Sequence, residues 1–364
     1  MASPSIPGTQ ATPKKSRWWR IVKRVLIGLV LLIACTALAG AAYQAIANWR
    51  DARRFPQEGR SIALGAEFPG VSLNLNCVGQ GAPTVILDSG LGVPAAGWDL
   101  VMPDVAKFAR VCSYDRAGYG WSSAGPMPRT SDEIVRELHA LLAASGEKGP
   151  YVLVAHSFGG YNVRVYADKY PGDVAGLVLV DTSHEDQEQM MPASLRQLTQ
   201  EQVKQLDSQK RLMPILIVFG IARLTTGDDG ESKLSKDFRD KMKYLQLQMK
   251  FIEAAFSEIK SFSLSAEEVR RTGNLGDRPL VVLTAGKDLE AKDLPKDVSV
   301  EEMREFRKTW VGDLQVRQTK LSTRGKQIVV PDSTHMIPME RPDAVVNAIR
   351  EVCDAVKTEP SPKN

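Results

Sequence analysis

The chain has 364 residues, 43% hydrophobic and 25% charged, enough for one large α/β domain with an insertion or two small domains. Its net charge of +4 is local. Lys14, Lys15, Arg17, Arg20, Lys23 and Arg24 carry six positive charges, and without them 41 basic residues face 43 acidic ones. A near-neutral body lacks the basic stripe of a nucleic-acid binder, so nucleic acid is not an expected partner.

Residues 1–13 are rich in Pro, Ser and Thr and are expected to be disordered. Val25 to Tyr43 follows, nineteen residues without a charge, close to the length that crosses a bilayer. The basic flank predicts a cytoplasmic N-terminus and an extracytoplasmic body. The expected layout is a basic tail over 1–24, a single-pass anchor or signal segment over 25–47, and a charged linker over 48–61. A signal peptide cut near Ala37-Leu38-Ala39 would instead give a secreted protein. The apolar run continues through that site and the basic flank begins late, which favours the anchor. A buried core helix fits poorly, because Val25–Ala42 has no polar face.

Strand and helix patterns then alternate. Val71–Cys77 alternates like a half-buried strand, and Thr84–Leu87 is the next, ending at Asp88-Ser-Gly-Leu-Gly92. A helix over Trp98–Phe108 leads to the strand Val111–Tyr114 and a glycine-rich turn, Asp115–Ser122. Ser131 or Asp132 is the expected cap of a helix over Glu133–Ala144. The apolar run Tyr151–Ala155 reads as a strand buried on both faces, followed by a helix over Tyr161–Tyr170 and the strand Gly176–Val180. This alternation predicts parallel βαβ units with right-handed crossovers.

It stops at residues 184–275, which are mostly helical in pattern. Phe238, Met242, Leu245, Met249, Ile252, Phe256 and Ile259 predict one amphipathic helix. Leu212–Ala222 is unusually apolar, either core or a lid surface facing an apolar substrate or the membrane. Alternation resumes with the strand Pro279–Thr284, a helix over about 301–321, the strand Gln327–Val330 and a helix over Pro342–Val356. The expected class is α/β: a mostly parallel core sheet over 62–183 and 276–357, a helical cap over 184–275, and a tail over 358–364.

Between strand and helix sits Ser157, flanked by Ala155, Gly159 and Gly160. That is the pattern of a nucleophile elbow, with Ala155 in place of the usual first glycine. Serine needs a base, and the chain has four histidines. His139 falls mid-helix, and the His156 side chain should point away from the Ser157 hydroxyl. His184 enters the cap and is a candidate substrate-pocket residue. His335 lies in a loop beyond the last strand, where catalytic groups collect, and is the chosen base. The base needs an acid. Asp288, after the Pro279–Thr284 strand, is preferred, with Asp181 as the alternative and Glu185 behind it. Oxyanion donors are expected from the backbone N–H groups of Phe158 and Leu91.

The stretches Ser89-Gly-Leu-Gly92, Tyr114-Asp-Arg-Ala-Gly-Tyr-Gly120, His156-Ser-Phe-Gly-Gly160 and Leu177-Val-Leu-Val-Asp181, with the loop carrying His335, resemble the α/β-hydrolase family over about residues 62–357. The resemblance implies a mostly parallel eight-stranded sheet and a Ser-Asp-His triad needing no metal or organic cofactor. It is weakest in the cap. Ser-Gly replaces the frequent His-Gly at the oxyanion loop, and Asp288 follows Gly286 more closely than usual, which keeps Asp181 in play. Epoxide hydrolases and dehalogenases are matched only in part, since they carry aspartate where this chain has Ser157. In the implied fold the strands holding Cys77 and Cys112 are neighbours. A disulfide in an oxidising compartment and two buried thiols are both compatible with that placement.

The expected function is therefore a membrane-anchored serine hydrolase acting on a carboxylic ester or related acyl bond with an apolar part. An acyltransferase or cofactor-free perhydrolase could use the same residues. A catalytically silent tethered binding protein is the reading from another class.

Overall fold

The structure, a computed structural model, describes residues 17–226, 234–288, 294 and 298–358. The segment 1–13, expected to be disordered, lies outside them. Eight strands form one sheet: β1 (Arg60–Ala63), β2 (Ser72–Val78), β3 (Val85–Asp88), β4 (Val111–Tyr114), β5 (Tyr151–His156), β6 (Val174–Val180), β7 (Leu280–Ala285) and β8 (Gly325–Val330). Their order is β1-β2-β4-β3-β5-β6-β7-β8. β1 pairs antiparallel with β2 and β2 antiparallel with β4, and the remaining pairs are parallel. The central strands β3, β5 and β7 are buried at every position. Helices cover both faces, as their continuous apolar runs require.

Helices number in chain order: α1 (Arg17–Arg54), α2 (Met102–Val105), α3 (Ser131–Ser145) and α4 (Gly159–Lys169). Between β6 and β7 come α5 (Gln187–Met190), α6 (Ala193–Val218), α7 (Ile221–Thr225), α8 (Lys236–Gln246), α9 (Met249–Lys260) and α10 (Phe262–Arg270). Then follow α11 (Val300–Thr309), α12 (Gln315–Thr319), α13 (Ile337–Glu340) and α14 (Pro342–Lys357). No described residue between 184 and 275 belongs to a strand.

Several local expectations are corrected. The cap of α3 is Thr130, whose Oγ1 accepts from Glu133 N–H, one residue before the expected Ser131. The apolar pattern from Phe238 to Ile259 is two helices, broken at Gln248 in an extended conformation (ψ 139°). Trp98–Phe108 is mostly short turns, with a 3₁₀ turn at Ala95–Trp98 and then α2. The expected linker from residue 48 continues α1 to Arg54, where Asp51 and Phe55 are buried.

α1 is long and apolar enough to cross a membrane by length and composition. Its last turns pack on the cap. Gly40 and Gly220 permit close approach: a Cβ at Gly40 would lie 2.4 Å from the Phe219 carbonyl, and one at Gly220 would lie 2.9 Å from the Tyr43 ring. The Arg223 guanidinium donates to Gln44, Asn48 and Asp51, and Arg54 pairs with Asp237 and Asp240 of α8. Cys77 and Cys112 face each other across β2 and β4 and are joined by a disulfide. Of the other two cysteines, Cys353 is buried and Cys35 is exposed on α1.

Candidate active site

β5 delivers Ser157 into a turn before α4, and Ser157 adopts φ 54°, a left-handed conformation rare for a non-glycine residue. The glycines after it make the turn possible. A Cβ on Gly159 would lie 2.8 Å from the Asp88 carbonyl, and one on Gly160 would lie 2.4 Å from Thr182 Cβ. Strain and close packing together hold the hydroxyl above the sheet edge.

The loop after β8 brings His335 Nε2 to 2.9 Å from Ser157 Oγ, and its Nδ1 to 2.6 Å from Asp181 Oδ2. A carboxylate only accepts, so the imidazole proton sits on Nδ1 and Nε2 is free to receive the serine proton. Asp181 is buried and also adopts a left-handed φ, 43°. Its Oδ1 accepts from Ala285 N–H and Trp310 Nε1–H, both at 2.9 Å. Burial pushes its carboxyl up, but His335, Trp310 and the Ala285 amide outweigh that and hold it below the ordinary value.

Asp181 rather than Asp288 therefore faces His335. Asp288 also follows a strand end, but its side chain is 85% exposed and lies 3.7 Å from the Arg307 guanidinium. Glu185 is taken by Arg164 in a two-pronged ion pair at 2.6 and 3.0 Å. The expectation for His184 is also corrected. It is buried, its Nδ1 accepts from Asp186 N–H, burial lowers its pKa, and it lines none of the space around Ser157. His139, midway along α3, stacks on Tyr170 at the end of α4.

His156 makes no bond to Ser157 Oγ, in keeping with its expected direction, but it has a partner that sequence reasoning missed. Its Nε2–H donates to the His335 carbonyl at 2.8 Å. Burial first, and then neighbouring His335, lower its pKa to about 3, so this ring is neutral.

Among the described residues, neither the Phe158 nor the Leu91 N–H has a hydrogen-bond partner. Arg116 explains the orientation of the second. Its guanidinium donates to the Ser89 carbonyl at 2.6 Å and the Gly90 carbonyl at 2.9 Å. In a planar trans peptide C=O and N–H point in opposite directions, so the Leu91 N–H is aimed away from Arg116. The loop lies against the turn: a Cβ on Gly90 would be 3.1 Å from Ser157 Cβ. Arg116 is completed by Asp88 at 2.8 Å and by a two-pronged pair with Glu258 of α9 at 2.9 Å. Tyr119 donates to Glu258 and accepts from Gly92 N–H. The cap is thus tied to the Ser89–Gly92 loop through buried charge.

A cavity of about 260 Å³ opens beside Ser157. Gln187 and Met191 at the start of the cap supply part of its wall, but Val300, Met303, Phe306 and Trp310 supply most of its apolar lining. The β7–β8 connection rather than the 184–275 cap therefore supplies most of this wall. Trp310 begins a π turn (Trp310–Leu314) that swings its indole onto Asp181, and no local sequence signal announces it.

The α/β hydrolase fold model matches residues 83–218. An uncharacterized protein of Bacillus subtilis is 26% identical over 165 residues, 45% of this chain and 50% of that protein. The chain spans half or less of the length of the curated relatives it matches. Among solved structures, an esterase from Thermogutta terrifontis is 24% identical with a TM-score of 0.50, over 82% of this chain and 99% of that one. An epoxide hydrolase from Bacillus megaterium is 16% identical with a TM-score of 0.58, over 81% and 100%. From its sheet order, its turn at Ser157 and these likenesses, the chain has the α/β-hydrolase fold.

Proposed function

We propose that the chain is a membrane-anchored serine hydrolase that cleaves carboxylic esters or related acyl bonds. The observation that carries this reading is the unbroken line from Ser157 Oγ through His335 to Asp181, at 2.9 and 2.6 Å. Ser157 Oγ attacks the acyl carbon while His335 Nε2 takes its proton. The Phe158 and Leu91 amides receive the oxyanion, each such donor being worth about 3 kcal/mol. His335 then gives the proton to the leaving alcohol, and water repeats the sequence on the acyl-enzyme. Asp181 keeps the proton on Nδ1 and stabilises the imidazolium. Met191, Val300, Met303 and Phe306 favour an apolar acyl or alcohol part.

The α1 helix is the anchor and the catalytic body is extracytoplasmic. The basic flank before residue 25 supports this orientation, as does the Cys77–Cys112 disulfide, which persists in an oxidising compartment. A fluorophosphonate probe tests the nucleophile: the natural chain should label and Ser157→Ala should not. Equal labelling of the two would overturn the assignment.

A further inference from the structure

Tertiary packing leaves an apolar face of the cap open. On α6, Met213, Leu216 and Ile217 turn inward against Tyr119 and Phe251. Leu212, Ile215 and Val218, roughly opposite on the same helix, are more than half exposed. Ile221 and Leu224 of α7 extend the stripe, and both are exposed. Five large apolar side chains in one stripe exceed the scattered exposure of an ordinary surface.

The position of the stripe identifies what covers it. Gly220 and Phe219 lie against Gly40 and Tyr43, and Arg223 is held by Gln44, Asn48 and Asp51. The stripe therefore sits beside the outer end of α1. Exposed Trp18 and Tyr43 on α1 are 25 residues apart, about 37 Å along a helix axis. A hydrocarbon core of about 30 Å, or 40–45 Å with headgroups, puts these aromatic side chains at its two boundaries. The corner between α6 and α7 then falls at the depth of the outer headgroups. Further up the outward face of α6, Lys204 and Arg211 are exposed where lipid phosphates would lie.

We propose that the outward face of α6 and α7 docks into the outer leaflet of the bilayer that α1 crosses. This rests on the anchor reading above. The membrane then contacts the protein at two places, a spanning helix and a half-immersed cap corner. The second contact adds orientation rather than retention, since α1 alone holds the chain in the bilayer.

Environment-sensitive fluorophores test this on the full chain in bilayers of phosphatidylcholine and phosphatidylglycerol. A nitrobenzoxadiazole label is attached at native Cys35 in one sample. In others Cys35 is replaced by alanine and the label is carried by Ile215→Cys, Leu224→Cys or, as a polar control on the same helix, Gln197→Cys. The expected result is quenching of the 215 and 224 labels by lipids with a nitroxide near the headgroup, a blue shift at both, and neither effect at 197. Quenching at Cys35 by a nitroxide deep in the acyl chain reports the anchor independently. Quenching at Cys35 with water-like emission at 215 and 224 overturns the docking alone. A blue shift at 215 without nitroxide quenching, growing with protein-to-lipid ratio, assigns the face to a second copy and also overturns it. No quenching at Cys35 removes the anchor and the docking with it.

Discussion

Replacing Asp181 by asparagine separates two groups that both follow strand ends. The carboxylate at 2.6 Å from His335 Nδ1 is buried and bonded to Trp310 and Ala285. In Asp181→Asn the side-chain carbonyl can keep those two bonds, so the fold should survive. The amide nitrogen, a donor, then faces Nδ1 and forces the imidazole proton onto Nε2, where it blocks transfer from Ser157. Loss of a bond to a charged group accounts for about 1.5–3 kcal/mol. The wrong tautomer adds to it, and in a Ser-His-Asp triad this substitution lowers kcat by roughly 10⁴. Asp288→Asn removes a charge on an exposed side chain at the edge of the cavity, 3.7 Å from Arg307, and should change kcat by less than about threefold. The assay is short-chain ester turnover in folded, reconstituted protein, with circular dichroism as the control. A loss at Asp288 exceeding that at Asp181, or Asp181→Asn within tenfold of the natural chain, would refute the reasoning.

Acid sensitivity should trace in part to His156. Its folded pKa is lowered to about 3 from 6.5, so below pH 6.5 the unfolded chain takes up a proton that the folded chain refuses. Stability then falls by about 1.4 kcal/mol per pH unit on acidification through that window. In His156→Gln, whose amide can still donate to the His335 carbonyl, denaturant titrations should show a pH slope smaller by one proton. An unchanged slope would contradict the buried neutral imidazole. Glu258→Gln should leave the Arg116 charge short of a buried partner, at about 3–5 kcal/mol and a drop of roughly 10 °C in Tm. It should also lower kcat through the Leu91 amide. Scanning calorimetry and ester kinetics check both, and an unshifted Tm would show that the pair is not buried in solution.

The sheet was legible because parallel strands covered on both faces read as uninterrupted apolar runs. Tyr151–Ala155 and Leu177–Val180 could hardly be anything else. Ser157 was legible because only small residues permit its turn, and His335 because the chain has few histidines and only one follows a late strand. The acid was not. Asp181 and Asp288 both end strands, and the difference between them is directional. A left-handed φ turns Asp181 inward, and Trp310, distant in sequence, closes over it. The helical cap pattern hid a break for a related reason, since the 4-3 spacing of Phe238 to Ile259 runs straight across Gln248. His184 was misplaced because position at a strand end says nothing about whether a neighbouring ion pair such as Arg164–Glu185 will cover it.

The same buried charges bear on how the site can open. Lifting the cap away from the sheet would separate Arg116 from Glu258, and Glu258 from Tyr119, all nearly inaccessible to solvent. It would also withdraw Gln246 from the Gly92 carbonyl and Lys250 from the carbonyls of Gly120 and Ser122. Each break falls on the loops around the Leu91 amide, so a lifted cap would disturb the proposed oxyanion donors as it exposed Ser157. α11 is tied to the sheet instead, its Arg307 donating to the Ala285 carbonyl and the Trp310 that follows it donating to Asp181. It carries no buried residue, and among the described residues its Arg304 and Lys308 pair with Glu301 and Glu305 of the same helix. Met303 and Phe306 nevertheless face the cavity beside Ser157. Both walls of the cavity are therefore tied to the groups around Ser157: the α11 side through Arg307 and Trp310 to Ala285 and Asp181, and the cap through Glu258 and Arg116 to the Ser89–Gly92 loop, so the cap braces α1 against that loop.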